Sequence, residues 1–252
     1  MGKKFRIIVS LPVHPIIMAF YIFLAIPLML VAQVVISKIF TYLGINVVFG
    51  FMMAFSMIFL SLMLSPFNIL LKEIATGIYS VRYETRYVSF FGIPIPVIDR
   101  KIVENKILVA MNIGGAVIPI LISSIIILRM LMSNPNTMAS LLVAILVTAL
   151  ITYIASKPVP GVGIAVPTFI PPIIASLMSL VTLYPSKLAI PGAYVAGTLG
   201  CLVGADVLRF IKDKDKLITI LGPTVLSIGG AGTFDGIYLS GILATLMTLI
   251  LT

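Results

Sequence analysis

Residues 227–244 read SIGGAGTFDGIYLSGILA, and the threading of this run decides how often the chain crosses a bilayer. A lone acid, Asp235, sits there among glycines and apolar residues. The nearest basic residue before it is Lys216, and none follows. From Asp235 to Thr252 the chain is regular and apolar, long enough at about 1.5 Å per residue for one thin span. The whole apolar stretch from Leu217 is too long for one span and too short for two with a loop. Pro223 and the glycines at 229, 230 and 232 break it. The expectation is that 217–232 is a re-entrant segment, entering and returning as a strand or turn before the last helix.

Composition supports a membrane setting for that run. The chain of 252 residues is 60% hydrophobic and only 10% charged, against about 25% charged in a soluble domain. Mean hydropathy is +1.22. Apolar spans are expected at about Pro15–Ser37, Ile45–Leu71, Ile107–Met132, Met138–Ser156, Val166–Tyr184 and Ala189–Ile211. With the last helix these make seven. No stretch has the mixed polarity of a soluble domain, so residues 1–252 read as one integral membrane domain. The expected fold class is an all-α polytopic membrane protein.

Charge gives the orientation. With the N-terminus cytoplasmic, only Lys38, Arg129 and Lys187 of the 17 Lys and Arg fall outside, leaving 17 − 3 = 14 within. That bias follows the positive-inside rule. The net charge of +9 therefore reflects topology and contact with anionic lipid, and nucleic acid is not an expected partner. The expected location is the cell membrane, multi-pass, with the lipid bilayer as first partner. One histidine, His14, and one cysteine, Cys201, exclude a disulfide within the chain and His/Cys metal clusters. No metal or cofactor is expected.

The loop 72–106 is the one sizeable polar element. Tyr79, Val81, Tyr83, Thr85 and Tyr87 alternate with Ser80, Arg82, Glu84 and Arg86, a period of two that marks a strand. Gly92 permits a turn, and Pro94 and Pro96 confine a second strand to a sheet edge. A short cytoplasmic β-hairpin at the membrane surface is expected. Elsewhere, breakers crowd around Asn112, Pro167 and Gly230. Irregular backbone persists in a bilayer only where protein or a water-filled cavity satisfies it. Asn112, Gly204, Gly230, Gly232, Thr233 and Gly236 are therefore the candidate cavity or substrate residues.

The chemistry centres on two acids. Asp206, in GCLVGADVL (200–208), lies five residues before the inner end of its span. The re-entrant threading would put Asp235 at similar depth. A carboxylate at the bilayer centre costs about 2.5 to 3.5 kcal/mol on insertion scales, so such a residue is by default a functional hypothesis. Two carboxylates close together share a proton, the condition for aspartic hydrolysis and equally for a proton-coupled carrier. Bland roles remain open beside these: an ion pair of Asp206 with Arg209, three residues on, and a helix cap for Asp235.

At these residues the sequence resembles a family of uncharacterised polytopic membrane proteins of bacteria and archaea, a domain of unknown function. The matching stretches are FFGIPIP (90–96), NIGGAVIP (112–119), LVGADVL (202–208) and SIGGAGTFDGIYLSGILA (227–244). It is more distantly similar to intramembrane aspartyl proteases of the presenilin, signal-peptide-peptidase and prepilin-peptidase type. Those carry one aspartate on a span and a second, in Gly-x-Gly-Asp, at the start of the next. That similarity implies Asp206 and Asp235 as a catalytic pair acting on a membrane-embedded peptide, although the second motif here reads Gly232-Thr-Phe-Asp235. Two further functions fit the same residues: a proton-coupled transporter or channel, and a non-catalytic membrane scaffold.

Overall fold

In the computed structural model of the chain, residues 6–10, 15–91, 93–159, 163–213, 225–230 and 236–252 are described. Helices α1 (Pro15–Tyr42) and α2 (Val47–Leu64) form an antiparallel pair. The Asn46 side chain starts α2 by accepting from the Val48 and Phe49 amides, an ordinary N-cap. Helix α3 (Ile118–Ser133) follows a π-helical turn, Ile113–Val117. Then come α4 (Thr137–Ala155) and α5 (Ile170–Leu183). Helix α6 is continuous over Ala189–Lys212, with its Leu202–Leu208 stretch wound as π-helix. Helix α7 spans Gly236–Leu251. Among the described residues, five helices are long and apolar enough to cross a membrane: those of α1, α2, α3 with its π-turn, α4 and α6. Helices α5 and α7 are apolar but shorter. The outer faces are apolar too, with Phe49, Met52, Phe55 and Leu142 exposed.

The fold is not all-α, and the seven-span expectation is corrected. A four-stranded mixed sheet runs β1 (Ile7–Val9), β2 (Phe67–Phe90), β3 (Ile93–Asn112) and β6 (Val225–Ile228) in that order. β1–β2 and β2–β3 are antiparallel, while β6 joins β3 in parallel, with Leu108 opposite Val225 and Met111 opposite Ile228. Short strands β4 (Lys157–Val159) and β5 (Gly163–Ala165) form a separate ribbon. The hairpin is not short. Its strands have 24 and 20 residues and take in 67–71 and 107–112, which hydropathy assigned to the ends of the second and third spans. The reason is that ILVAM is a continuous apolar run and FNILL is apolar but for Asn68. A buried strand and a buried helix end look alike by hydropathy, and only the pairing partner separates them.

Helix α6 is the hub, with every residue of Ala189–Cys201 except Leu199 buried. Small residues permit this. A Cβ at Gly197 would stand 2.7 Å from the Ser240 carbonyl of α7, and one at Gly200 would stand 2.7 Å from Thr148 of α4. Such close approach is how helices associate in lipid, where apolar side chains gain little by leaving it. Hydroxyls add pairings: Ser176 Oγ lies 2.9 Å from Thr248 Oγ1 between α5 and α7, and Ser179 Oγ donates to the Ala189 carbonyl. The sheet has its own small core of Ile74, Ile107, Val109 and Leu226, against which Ile164 and Phe210 pack. It is therefore attached to the C-terminal end of α6.

Candidate functional site

The site is built where the sheet meets α6. Gly204 seats the π-wound stretch against α4, since a Cβ there would come within 2.2 Å of the Ala149 carbonyl. Two residues on, Asp206 is half-buried and lines two cavities. The larger, about 690 Å³, is bounded by Asn68 and Lys72 of β2, Phe210 of α6, and all four residues of β6. The smaller, about 140 Å³, is bounded by Pro167 and Pro171 at the start of α5, by Cys201 and Ala205, and by Gly236 and Ile237 of α7. π-Helical turns inside α-helices recur at functional sites. Here the looser winding carries the acid that both cavities share.

Arg209 lies close by with its own partners. Its guanidinium pairs with Asp213 at 2.6 Å, donates to Ser156 Oγ at 3.0 Å, and donates to the Tyr153 and Ser156 carbonyls. It also stacks over the Tyr153 ring, 4.5 Å from the centroid. The arginine thus caps the C-terminus of α4, where carbonyls lack helical partners. Among the described residues, Arg209 makes its ion pair with Asp213 at i+4.

A polar network holds the sheet beside this cavity. Asn68 Oδ1 accepts from Ser227 Oγ at 2.6 Å and from Asn112 Nδ2 at 3.1 Å, while Asn68 Nδ2 donates to Ser10 Oγ. Asn112, fully buried, also donates to the Ser65 carbonyl and accepts from the Gly115 amide. Asn112 is therefore a cap and a weld between strands, and it borders neither cavity. Gly114 and Gly229 serve close backbone packing. A Cβ on Gly114 would meet α2 at the Ser61 carbonyl, and one on Gly229, at φ +68°, would meet the Gly115–Ala116 peptide.

Of the sequence candidates, then, the structure brings together Asp206, Gly230 at the larger cavity and Gly236 at the smaller. Gly204 sits behind Asp206 as a packing residue. Asp235, Gly232 and Thr233 lie outside the described residues. Most of the 217–232 segment does too, and its described part is β6 and the turn Gly229–Gly230. Sequence reasoning missed Lys72, Asn68 and Ser227 as cavity residues. Lys72 had a signal, as a cation at the end of an apolar run, but its partner surface depends on β6 pairing with β3. Among the described residues no three His, Cys, Asp or Glu side chains group as metal ligands.

The family model described as "Protein of unknown function (DUF1614)" matches residues 62–247. The chain belongs to this family. The matched region begins near the end of α2 and takes in the hairpin, most of α7, the smaller cavity and the larger one except for Ser10, so Asp206 and nearly all of the site lie within the part the family shares. No curated protein and no solved structure matches the chain.

Proposed function

We propose that this protein is an intramembrane aspartyl-type hydrolase that cuts membrane-embedded polypeptide, with Asp206 and Asp235 as its carboxylate pair. The observation that carries this reading is the place of Asp206. It is half-buried on a π-wound stretch of a helix long enough to span, at the junction of two cavities. Gly236, the residue after Asp235 in the chain, borders the smaller one. The larger cavity is mostly apolar, with Lys72, Asn68 and Ser227 as polar points. That lining suits an unwound stretch of apolar polypeptide whose amides need partners. The N-terminus is taken as cytoplasmic from the distribution of basic residues.

The chemistry needs one proton shared by two carboxyls. The ionised carboxylate takes a proton from water as the water oxygen bonds to the peptide carbonyl carbon. The protonated carboxyl gives its proton to the carbonyl oxygen. Collapse of the tetrahedral adduct then breaks the C–N bond: the proton gained from water passes to the leaving nitrogen, and one hydroxyl of the adduct returns its proton to the second carboxylate as the new C=O forms. The test uses the full chain in liposomes with a single-span peptide carrying a donor–quencher pair. Asp206→Asn and Asp235→Asn should each abolish cleavage while keeping the thermal transition, and the wild-type rate should be bell-shaped in pH. Undiminished cleavage by either variant would sink the pair. Solute uptake driven by a pH gradient, lost in Asp206→Asn with no peptide cut, would replace hydrolysis with proton-coupled transport.

A further inference from the structure

The distal part of the long hairpin stands clear of the rest of the described protein. β1 pairs with β2 only at 67–69, and β6 pairs with β3 only at 108–111. Beyond the Tyr79–Glu104 pair every described residue of the arm but one is exposed. Residues directly opposite in an antiparallel pair share a face. One face therefore carries Tyr79, Val81, Tyr83 and Tyr87 from β2 with Ile98 and Ile102 from β3, together with Glu104 at its base and Arg100, whose guanidinium lies over the Tyr83 ring 5.8 Å from its centroid. The other carries Arg82, Arg86 and Lys101 with Glu84 and Asp99. At the tip both faces turn apolar, with Phe90 and Phe91 in edge contact and Phe91 91% exposed. An apolar surface of this extent marks an interaction site.

We propose that this arm lies on the lipid surface from which it emerges, aromatic face down and Phe90–Phe91 inserted. Three features favour lipid over a second copy or a peptide. First, the arm is continuous with helices that can span. β2 starts at Phe67, just after α2 ends at Leu64, and β3 leads directly into the π-turn before α3, so its base is held at the bilayer surface. Second, the face pattern is that of interfacial elements: tyrosines and aliphatics dominate one face, where Arg100 lies along the Tyr83 ring and can reach headgroup level, and Arg82, Arg86 and Lys101 occupy the other. Third, Pro94 and Pro96 remove two amides from β3, blunting it against strand addition. A bend is also built in. Ala75 pairs with Lys106 and Tyr79 with Glu104, so three residues of β2 bulge opposite Asn105, with Gly77 at φ +69°. Thr76 Oγ1 donates to the Asn105 carbonyl and Ser80 Oγ lies 2.6 Å from Asn105 Oδ1, fixing the bulge. A bulge bends and twists its strand, so the arm beyond Tyr79 need not continue the line of the proximal sheet.

The proposal rests on the spanning role of α2 and α3 and is independent of hydrolysis. The protein has no tryptophan, so one introduced residue reports alone. The full chain with Tyr83→Trp, Phe91→Trp or Glu84→Trp is placed in nanodiscs of equal parts phosphatidylcholine and phosphatidylglycerol, with and without brominated acyl chains. Each variant is first shown to keep the wild-type thermal transition. Bromolipid should quench Tyr83→Trp and Phe91→Trp several-fold more than Glu84→Trp, with blue-shifted emission for the first two. Red-shifted, unquenched emission at all three sites would leave the arm in water and overturn the proposal. Blue-shifted but unquenched emission would make the cover a protein surface, and equal quenching of both faces would remove the face assignment; each also overturns it.

Discussion

Gly204, Asp206 and Arg209 occupy six residues of α6 and show how a half-buried acid is held by neighbours with structural work. Gly204 allows α6 to touch the backbone of α4, and Arg209 ties the next turn to the C-terminus of α4 and to Asp213. Gly204→Ala would drive a methyl into the Ala149 carbonyl, which cannot rotate away. Overpacking of this kind costs about 1–3 kcal/mol, and here the displaced turn carries Asp206. The expected result is a lower unfolding temperature with greater loss of any Asp206-dependent activity than of fold. Arg209→Ala leaves Asp213, whose side chain is 16% exposed, without its partner, and uncaps α4. Breaking a buried pair in this way costs roughly 3–5 kcal/mol. Denaturant titration of detergent-solubilised protein should show a loss of that order, and a change within error would mean that water already satisfies these groups.

At the scale of elements, β1 is tied to the hairpin by charge as well as by its ladder. The Glu73 carboxylate meets Lys106 at 3.0 Å and Arg6 at 3.1 Å. The hydrogen bond and charge of Lys106, then Arg6, hold its pKa below the ordinary 4.5. A group lowered on folding contributes stability that is present above its unfolded pKa and lost as pH falls through the folded value. Acid below about pH 4.5 should therefore loosen this junction. Glu73→Gln should flatten that acid limb in a hydrogen-exchange measurement on 6–10, whereas an unchanged limb would assign the loss to other carboxylates. The elements also divide by how well sequence announces them. The Tyr79–Tyr87 alternation is legible as a strand because its faces differ. The last helix is legible from Asp235 onward because glycines precede it, and α7 begins at Gly236. The strand ends at 67–71 and 107–112 are hidden, because their apolar residues fall on both faces and the polar Asn68 and Asn112 are turned inward to each other, so no period of two shows. The glycines around Asn112 read as cavity signals, yet they serve contacts with α2 and β6 that exist only after distant segments meet.

For the molecule as a whole, the helices and the proximal sheet form one packed body, and the distal arm adds area without adding core. Removing residues 80–103 and joining Tyr79 to Glu104 through Asn-Gly, a dipeptide suited to a tight hairpin turn, should leave thermal unfolding unchanged. Exposure of the buried Cys201 thiol on heating reads this directly, and a clear drop in transition temperature would show that the arm braces the body. The parallel β3–β6 pairing has a separate consequence for biosynthesis. Met111 must wait for Ile228, 228 − 111 = 117 residues later, which at about 5–20 residues per second is roughly 6–23 seconds of translation. During that interval α3 to α6 are made while one edge of β3 stands open next to an apolar stretch. An open edge is a template for aggregation. Chains stalled or truncated before residue 225 should therefore be the species that the insertion machinery and membrane proteases must shield or remove.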